Sequence, residues 1–274
     1  MRHEVPIFMY HEVAGPEGMQ ALAGRIQLGY VVTTEQFESH LRTLRDLGAK
    51  SVNLEQVTQW VRNGTPIPER SVVITFDDGF EGNYTTALPL LEKYGFTATF
   101  FVATNRIGDE VMMSWEQLRE MGARGMSIES HTASHPLLST LTRDETRSEL
   151  AVSRQVLEQQ LGKQVRFISL PNGDSNGWYH DLARETGYAG GCGSQFGCND
   201  RGADPYCLRR IAMKRSTTAQ DISNYVLRNS INYNWAMGKA RIKRMVPALI
   251  GKRRYDRLYN ALFGVAEQRK GRAE

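Results

Sequence analysis

The chain has 274 residues, 41% hydrophobic and 23% charged, with a net charge of +4. That balance fits a globular protein with a sizeable core and excludes fibrous, low-complexity and disordered classes. No run of about 18 apolar residues is present to span a membrane, and Met1 to Phe8 contain no apolar signal segment, so the expected location is the cytoplasm.

In chain order, short apolar strands alternate with amphipathic helices. Residues 5–10 read as a strand ending at His11-Glu12, and the glycine-containing stretch 12–32 as a loop. Thr33 with Gln36 has the form of a capping box and opens a helix through Phe37, Leu41, Leu44 and Leu47, stopped by Gly48. Residues 54–62 form a second helix, closed by Asn63-Gly64. Residues 71–76 are strand formers, cut off by the strand-breaking Asp77-Asp78-Gly79. Residues 84–94 read as helix despite Pro89, 96–103 as a strong strand, 115–121 as a short helix, and 126–130 as a strand running into His131. Thr142 and Glu145 make a capping box for a long helix to Leu161. Residues 165–170 form a strand ending in Pro171-Asn172-Gly173-Asp174. A helix at 178–186, a weak strand around Ala189, a strand at 208–213 and a helix at 218–228 follow.

This alternation argues for a parallel α/β sheet or barrel, and seven or eight strands in about 230 residues favour a barrel. Residues 1–234 are expected to be that barrel. Residues 235–274 differ in composition, with eleven basic and three acidic residues, a net +8 that leaves −4 for the rest. Two segments of this tail, Ile242 to Ile250 and Tyr255 to Phe263, have apolar residues at helical spacing among the cations. They are expected to pack on the barrel, with a peripheral contact to the inner membrane face or to a lipid-linked glycan as the alternative. Nucleic-acid binding is not expected, because no recognition motif accompanies the charge. Cys192, Cys198 and Cys207 fit neither a disulfide framework nor a zinc pattern and are read as structural or incidental.

Two motifs carry chemistry. Asp77 and Asp78 sit at the end of a buried strand, where α/β sheets and barrels place reacting groups; a surface turn is the plain alternative. Fifty-three positions later, His131 and His135 bring two imidazoles to one helix face or one tight turn. Neutral imidazoles bind zinc, nickel, cobalt or iron(II), and two histidines with a carboxylate make a common catalytic set with open positions.

Together, Thr75-Phe76-Asp77-Asp78-Gly79 and His131-Thr132-Ala133-Ser134-His135 resemble the two metal motifs of the polysaccharide deacetylases of the NodB-homology class, carbohydrate esterase family 4. The resemblance covers roughly residues 4–215, and the later Pro171-Asn172-Gly173-Asp174 looks like the exopolysaccharide-type variant. It implies a distorted (β/α) barrel of about seven strands. It implies a divalent metal, zinc before cobalt, nickel or iron, on Asp78, His131 and His135, with Asp77 as general base. It implies an N-acetylated glycan as substrate, Thr132 orienting a ligand histidine through the loop backbone, and the Asn172 backbone N–H as oxyanion donor.

The family pattern is broken in two places. Its third motif often carries an arginine where this chain has Ser169, which is expected to leave Asp77 without its charge partner. Its late histidine, the acid for the leaving amine, is absent: the aligned segment is Leu208-Arg209-Arg210-Ile211, and no histidine follows His180. His11, ending the first strand, is the candidate acid, in a start that resembles a subset of these enzymes; a structural role for His11, with a metal-bound water supplying the proton, is the alternative. His180 reads as a solvated helix residue, and His3 and His40 as surface. Trp115 reads equally as a sugar wall or as core, and Asn105-Arg106, following a strand end, as solvated loop ahead of a substrate contact. Two competing readings follow: a hydrolase of the same fold acting on another C–N bond in a small substrate, and a glycan-binding protein that keeps the metal without catalysis.

Overall fold

The computed structural model describes residues 4–23 and 27–228, together with Gly238. His3 and, apart from Gly238, the expected helical tail of 235–274 lie outside the described residues.

Ten strands and eight α-helices follow in chain order among the described residues. They are β1 (Ile7–Tyr10), β2 (Glu12–Ala14), α1 (Pro16–Leu22), β3 (Val31–Thr33), α2 (Thr34–Asp46), β4 (Lys50–Ser51), α3 (Leu54–Asn63), β5 (Ser71–Phe76), α4 (Leu88–Tyr94), β6 (Thr99–Val102), α5 (Trp115–Ala123), β7 (Ser127–Ser130), α6 (Arg143–Leu161), β8 (Phe167–Ser169), α7 (Tyr179–Glu185), β9 (Gly190–Phe196), β10 (Leu208–Ala212) and α8 (Ala219–Leu227). Seven strands close a parallel barrel in the order β1-β10-β9-β8-β7-β6-β5, sealed by the pairing of β1 with β5. The short β4 lies outside the ring, paired with the start of β5. The expected seven-strand (β/α) barrel is therefore present.

The two-residue side-chain period of a strand sorts the residues. Ile7, Val73, Phe101, Phe167, Cys192 and Leu208 fill the lower barrel as one apolar cluster. The residues two or four positions further along the same strands are His11, Thr75 and Asp77, Ser169, and Arg210. The same alternation that packs the core thus delivers polar groups to the C-terminal mouth. The opposite faces of β1, β5 and β6 carry Tyr10, Phe76 and Phe100. Phe76 stacks on Phe100 at 4.8 Å and on Tyr10 at 5.3 Å, and Phe37 of α2 meets it edge-on at 5.7 Å. Full burial of such a ring contributes roughly 1.5–3 kcal/mol, so this cluster fixes α2 and the end of β5 together.

Local rules set most helix ends. Thr142 caps α6 with a full capping box, and α6 runs to Leu161 as expected. Thr33 accepts from the Gln36 N–H, but the Gln36 side chain bonds the Arg215 and Thr217 carbonyls instead of closing the box. Pro89 is tolerated because a π-helical turn, Asn83–Ala87, runs directly into α4 and leaves Pro89 in the first turn of α4, where no N–H is needed.

Two expectations are corrected. The stretch 12–32 is not a plain loop, since β2, α1 and the start of β3 lie in it; β2 and β3 pair in parallel, which bounds their apolar faces. His40 is not on the surface. It is fully buried on α2, its Nδ1 3.1 Å from the Tyr10 hydroxyl and its Nε2 3.1 Å from the Thr217 carbonyl.

Candidate active site

At the C-terminal mouth of the barrel a cavity of about 360 Å³ is lined by His11, Asp77, Asp78, His131, Asn172 and Arg210, among others. Asp77 and Asp78 are neighbours in sequence but reach it in different ways. Asp77 continues the inward parity of β5 and is buried. Asp78 has a left-handed backbone, φ 76°, which swings its carboxylate to the same mouth. Asp accepts this conformation better than most residues. Gly79 follows at φ 90°, and a Cβ there would stand 2.9 Å from Val102 Cγ1, so the turn is built around a bare backbone.

The two histidines converge from a turn, not from a helix face. Thr132 and His135 have φ of 67° and 63°. A β-branched residue in that region is strained, and several bonds hold it. The Thr132 N–H donates to Ser130 Oγ (3.1 Å), and the His135 N–H donates to Thr132 Oγ1 (3.0 Å). Glu149 of α6 accepts from the N–H groups of Ala133 and Ser134, each at 2.9 Å, and from the Ser134 hydroxyl at 2.7 Å. Glu149 anchors the whole loop, and nothing in the sequence motif marks it.

One ligand atom each from Asp78, His131 and His135 lies within 4.8 Å of the others. Asp78 Oδ1 is 3.1 Å from His135 Nε2 and 3.5 Å from His131 Nε2. That oxygen is buried and makes no well-directed hydrogen bond. His131 Nδ1 donates to the Ser169 carbonyl at 2.8 Å, so the neutral ring turns the lone pair of Nε2 toward Asp78. An orphaned carboxylate oxygen facing two imidazole nitrogens is a donor set that suits a divalent cation. The electrostatics agree in direction. Burial opposes charge on Asp78, but the two imidazoles outweigh it and hold its pKa well below the carboxylate range. Burial likewise opposes charge on His131, yet Asp77 and Asp78 raise its pKa.

Asp77 is held separately, and here an expectation fails. Arg210, on β10 and 1% exposed, grips it with two charge-assisted bonds: Nη1 to Oδ1 at 2.7 Å and Nη2 to Oδ2 at 2.6 Å. Ser169 Oγ donates to Asp77 Oδ2 at 3.0 Å and accepts from Arg210 Nη2 at 2.8 Å. Arg210 Nε is held by the Gly193 carbonyl at 2.8 Å. Asp77 therefore does have a charge partner, supplied by another strand. The reason is closure: β10 lies next to β1, which pairs with β5, so inward residues of β10 and β5 meet across the barrel. Burial pushes the Asp77 pKa up, and Arg210 and His131 bring it below the usual value.

His11 enters at the end of β1. Its ring packs on Tyr30 at 5.0 Å, and its Nδ1 is buried without a hydrogen bond. Burial lowers its pKa against the pull of Asp77 and Asp78. Its backbone is fixed from below: Asn83 Nδ2 donates to the His11 carbonyl at 2.9 Å, and Glu12 accepts from the Val13 and Gly82 N–H groups. Asn172 has φ 54° and lines the same cavity, its carbonyl accepting from Ser194 Oγ at 3.1 Å. Trp115 stands half-buried in the first turn of α5, outside the set that lines the cavity. His180 is half-exposed on α7, its Nε2 2.6 Å from Asp204 Oδ2, away from the residues that line the cavity. Cys192 and Cys198 are buried and Cys207 is half-buried, and none of the three is in a disulfide.

The profile of the polysaccharide deacetylase family matches residues 64–191. The protein YxkH of Bacillus subtilis (strain 168), itself only provisionally named a polysaccharide deacetylase, is 31% identical over 223 residues, 81% of this chain and 76% of that protein. The poly-beta-1,6-N-acetyl-D-glucosamine N-deacetylase of Staphylococcus aureus (strain N315) is 32% identical over 146 residues, 51% of this chain; the chain spans about half of that relative, 49%. Among solved structures, the Streptococcus pyogenes deacetylase PplD in complex with acetate has a TM-score of 0.75 at 26% identity, covering 82% of this chain and 99% of that one. IcaB from Ammonifex degensii shares the fold, with a TM-score of 0.69 at 22% identity over 82% of this chain and 97% of its own.

Proposed function

We propose that this chain, which belongs to the polysaccharide deacetylase family, is a metal-dependent hydrolase that removes N-acetyl groups from amino sugars of a polysaccharide or its precursor. The observation that carries the reading is the convergence of Asp78, His131 and His135 beside a carboxylate, Asp77, that is held independently of them. The substrate named for the staphylococcal relative makes an N-acetylglucosamine polymer the first substrate to test. Asp78, His131 and His135 would hold the ion, zinc before cobalt, nickel or iron(II), since imidazole with carboxylate suits all four. When bound, the ion supplies Lewis acidity, lowering the pKa of water and polarising the acyl oxygen.

The protein residues divide the remaining work. Asp77 takes the proton from the attacking water. A carboxylate offers about four acceptor positions, and Arg210 and Ser169 fill one on Oδ1 and two on Oδ2. The position left is on Oδ1, which makes that oxygen the proton acceptor. Arg210 keeps Asp77 ionised and ready. The Asn172 N–H serves the charge that develops on the acyl oxygen. His11, at the same mouth, gives the leaving nitrogen its proton. The Arg210–Asp77 pair weighs against a glycan-binding protein without catalysis, because a preserved and preorganised base is what such a protein has no use for.

The test is acetate release from N-acetylglucosamine oligomers. Activity should vanish with a chelator and return with added zinc. Absence of acetate with zinc, cobalt, nickel and iron(II) alike would sink the reading.

A further inference from the structure

We propose that the amino sugar taken by this site carries an anionic substituent, a phosphate or a carboxylate, and that Arg106 reads it. The inference rests on the deacetylase reading above and names its substrate class.

Arg106 lies just past the end of β6 and lines the same cavity as His11, Asp77, Asp78 and His131. It is half-buried, and its guanidinium has no hydrogen-bond or ion-pair partner among the described residues. The other arginine of the cavity, Arg210, is fully neutralised by Asp77. A guanidinium that gives up part of its hydration without gaining an anion is poorly compensated, and a ligand anion would complete it. An exposed cation, Lys214, lies outside the lining but beside one of its residues. Lys214 Nζ sits 5.3 Å from the ring centroid of Tyr30, and Tyr30 lines the cavity and packs on His11. With Asp77 paired to Arg210 and Asp78 facing His131 and His135, Arg106 is the charged side chain of the cavity lining left without a close partner among the described residues, although residues 1–234 carry a net −4.

Substrate chemistry fits this layout. On a 2-acetamido sugar, C1 and C3 flank the carbon that bears the amide. A phosphate on C1, or an acid attached through O3, therefore lies next to the amide-bearing carbon, close enough to share a cavity of about 360 Å³ with the acyl group. Guanidinium is matched to both anions by its planar fork of donors. The anion could belong to a sugar phosphate or to an acidic glycan.

The test compares kcat/KM for wild type and Arg106→Gln on three substrates that share one sugar: the methyl glycoside of N-acetylglucosamine, its 1-phosphate, and N-acetylmuramic acid. Wild type should favour one charged substrate over the neutral one by at least tenfold. The variant should lose roughly 10- to 100-fold on that substrate, as expected for a bond to a charged group, and stay within twofold on the neutral one. Arg106→Lys should keep part of the preference. Preference for the 1-phosphate assigns the anion to a sugar phosphate, and preference for N-acetylmuramic acid assigns it to an acidic glycan. Equal values for neutral and charged substrates in wild type, or an equal loss on all three in Arg106→Gln, would overturn the proposal. Calorimetric binding of the deacetylated form of whichever charged substrate wild type prefers, glucosamine 1-phosphate or muramic acid, tests the same point without turnover. At least tenfold weaker binding by Arg106→Gln supports the proposal, and unchanged binding overturns it. Turnover of the neutral substrate without charge preference rejects Arg106 as the reader while leaving the deacetylase reading intact.

Discussion

Arg210 and Asp77, 133 positions apart in sequence, form a buried two-pronged ion pair across the barrel. Ser169 bonds both partners and so ties three strands, β5, β8 and β10, into one polar layer above the apolar core. Removing one member of a buried pair leaves the other charge uncompensated, at a cost of about 3–5 kcal/mol. Arg210→Met should therefore lower stability by that order in urea denaturation. It should also raise the Asp77 pKa, because Arg210 is the first influence that opposes burial there. The acid limb of the kcat/KM profile should move to higher pH. Arg210→Lys, which cannot grip both oxygens, should fall between. A double variant, Arg210→Ser with Ser169→Arg, should recover more of the acid limb than Arg210→Ser alone. An acid limb that stays in place in Arg210→Met would remove Asp77 as the base.

Asp77 and Asp78 are neighbours with separable consequences. Asp78→Ala should abolish bound metal, by elemental analysis, together with activity. Asp77→Asn keeps the shape and the ligand set. It should hold the metal and lose activity by about 10²–10⁴, the usual contribution of a positioned base. Metal loss in Asp77→Asn, or activity in Asp78→Ala, would contradict the division of labour.

The sequence made this part of the site legible because its signals are local. A strand pattern ending in Asp-Asp-Gly and a turn holding two histidines can each be read within six residues. The barrel was legible for the same reason, from the alternation of period 2 and period 3.6. What it hid depends on closure. Arg210 stands in an ordinary-looking strand, and only the pairing of β10 with β1 and of β1 with β5 carries it to Asp77. Glu149 reaches the histidine loop from the middle of the first half of α6, where its neighbours give no sign of it. His40 looked solvated among the polar residues of α2, but its partners, Tyr10 and Thr217, come from β1 and from the segment after β10. In each case the missing information is which distant strand or helix supplies the neighbour, and spacing along one segment does not encode that.

His11 can be separated from a structural residue by the leaving group. As the proton donor to the departing amine, it matters most when that amine is a poor leaving group. His11→Ala should cut kcat on an N-acetyl sugar by about 10²–10⁴ and retain its metal. On p-nitrophenyl acetate, whose leaving group needs no proton, the same variant should lose little. Equal losses on both substrates would mean that His11 only supports the cavity wall against Tyr30.

His40 gives a prediction in stability alone, well away from the metal ligands. The Thr217 carbonyl can only accept, so Nε2 carries the hydrogen and Nδ1 accepts from the Tyr10 hydroxyl; the buried ring is neutral. Burial lowers its pKa, with the Thr217 carbonyl and Asp221 pulling weakly the other way. The folded pKa thus lies below the unfolded one, about 6.5. As pH falls through that value the unfolded chain takes up the proton first, and folding loses up to about 1.4 kcal/mol per pH unit until the folded pKa is reached. Above about pH 7 the term is constant. His40→Gln has no such titration, whatever its own baseline. The stability difference between wild type and variant, from urea curves at pH 7.5, 6.5 and 5.5, should therefore shrink as pH falls. Parallel curves across that range would show that His40 is protonated in the folded protein, and the Tyr10 hydroxyl would then have to find another acceptor.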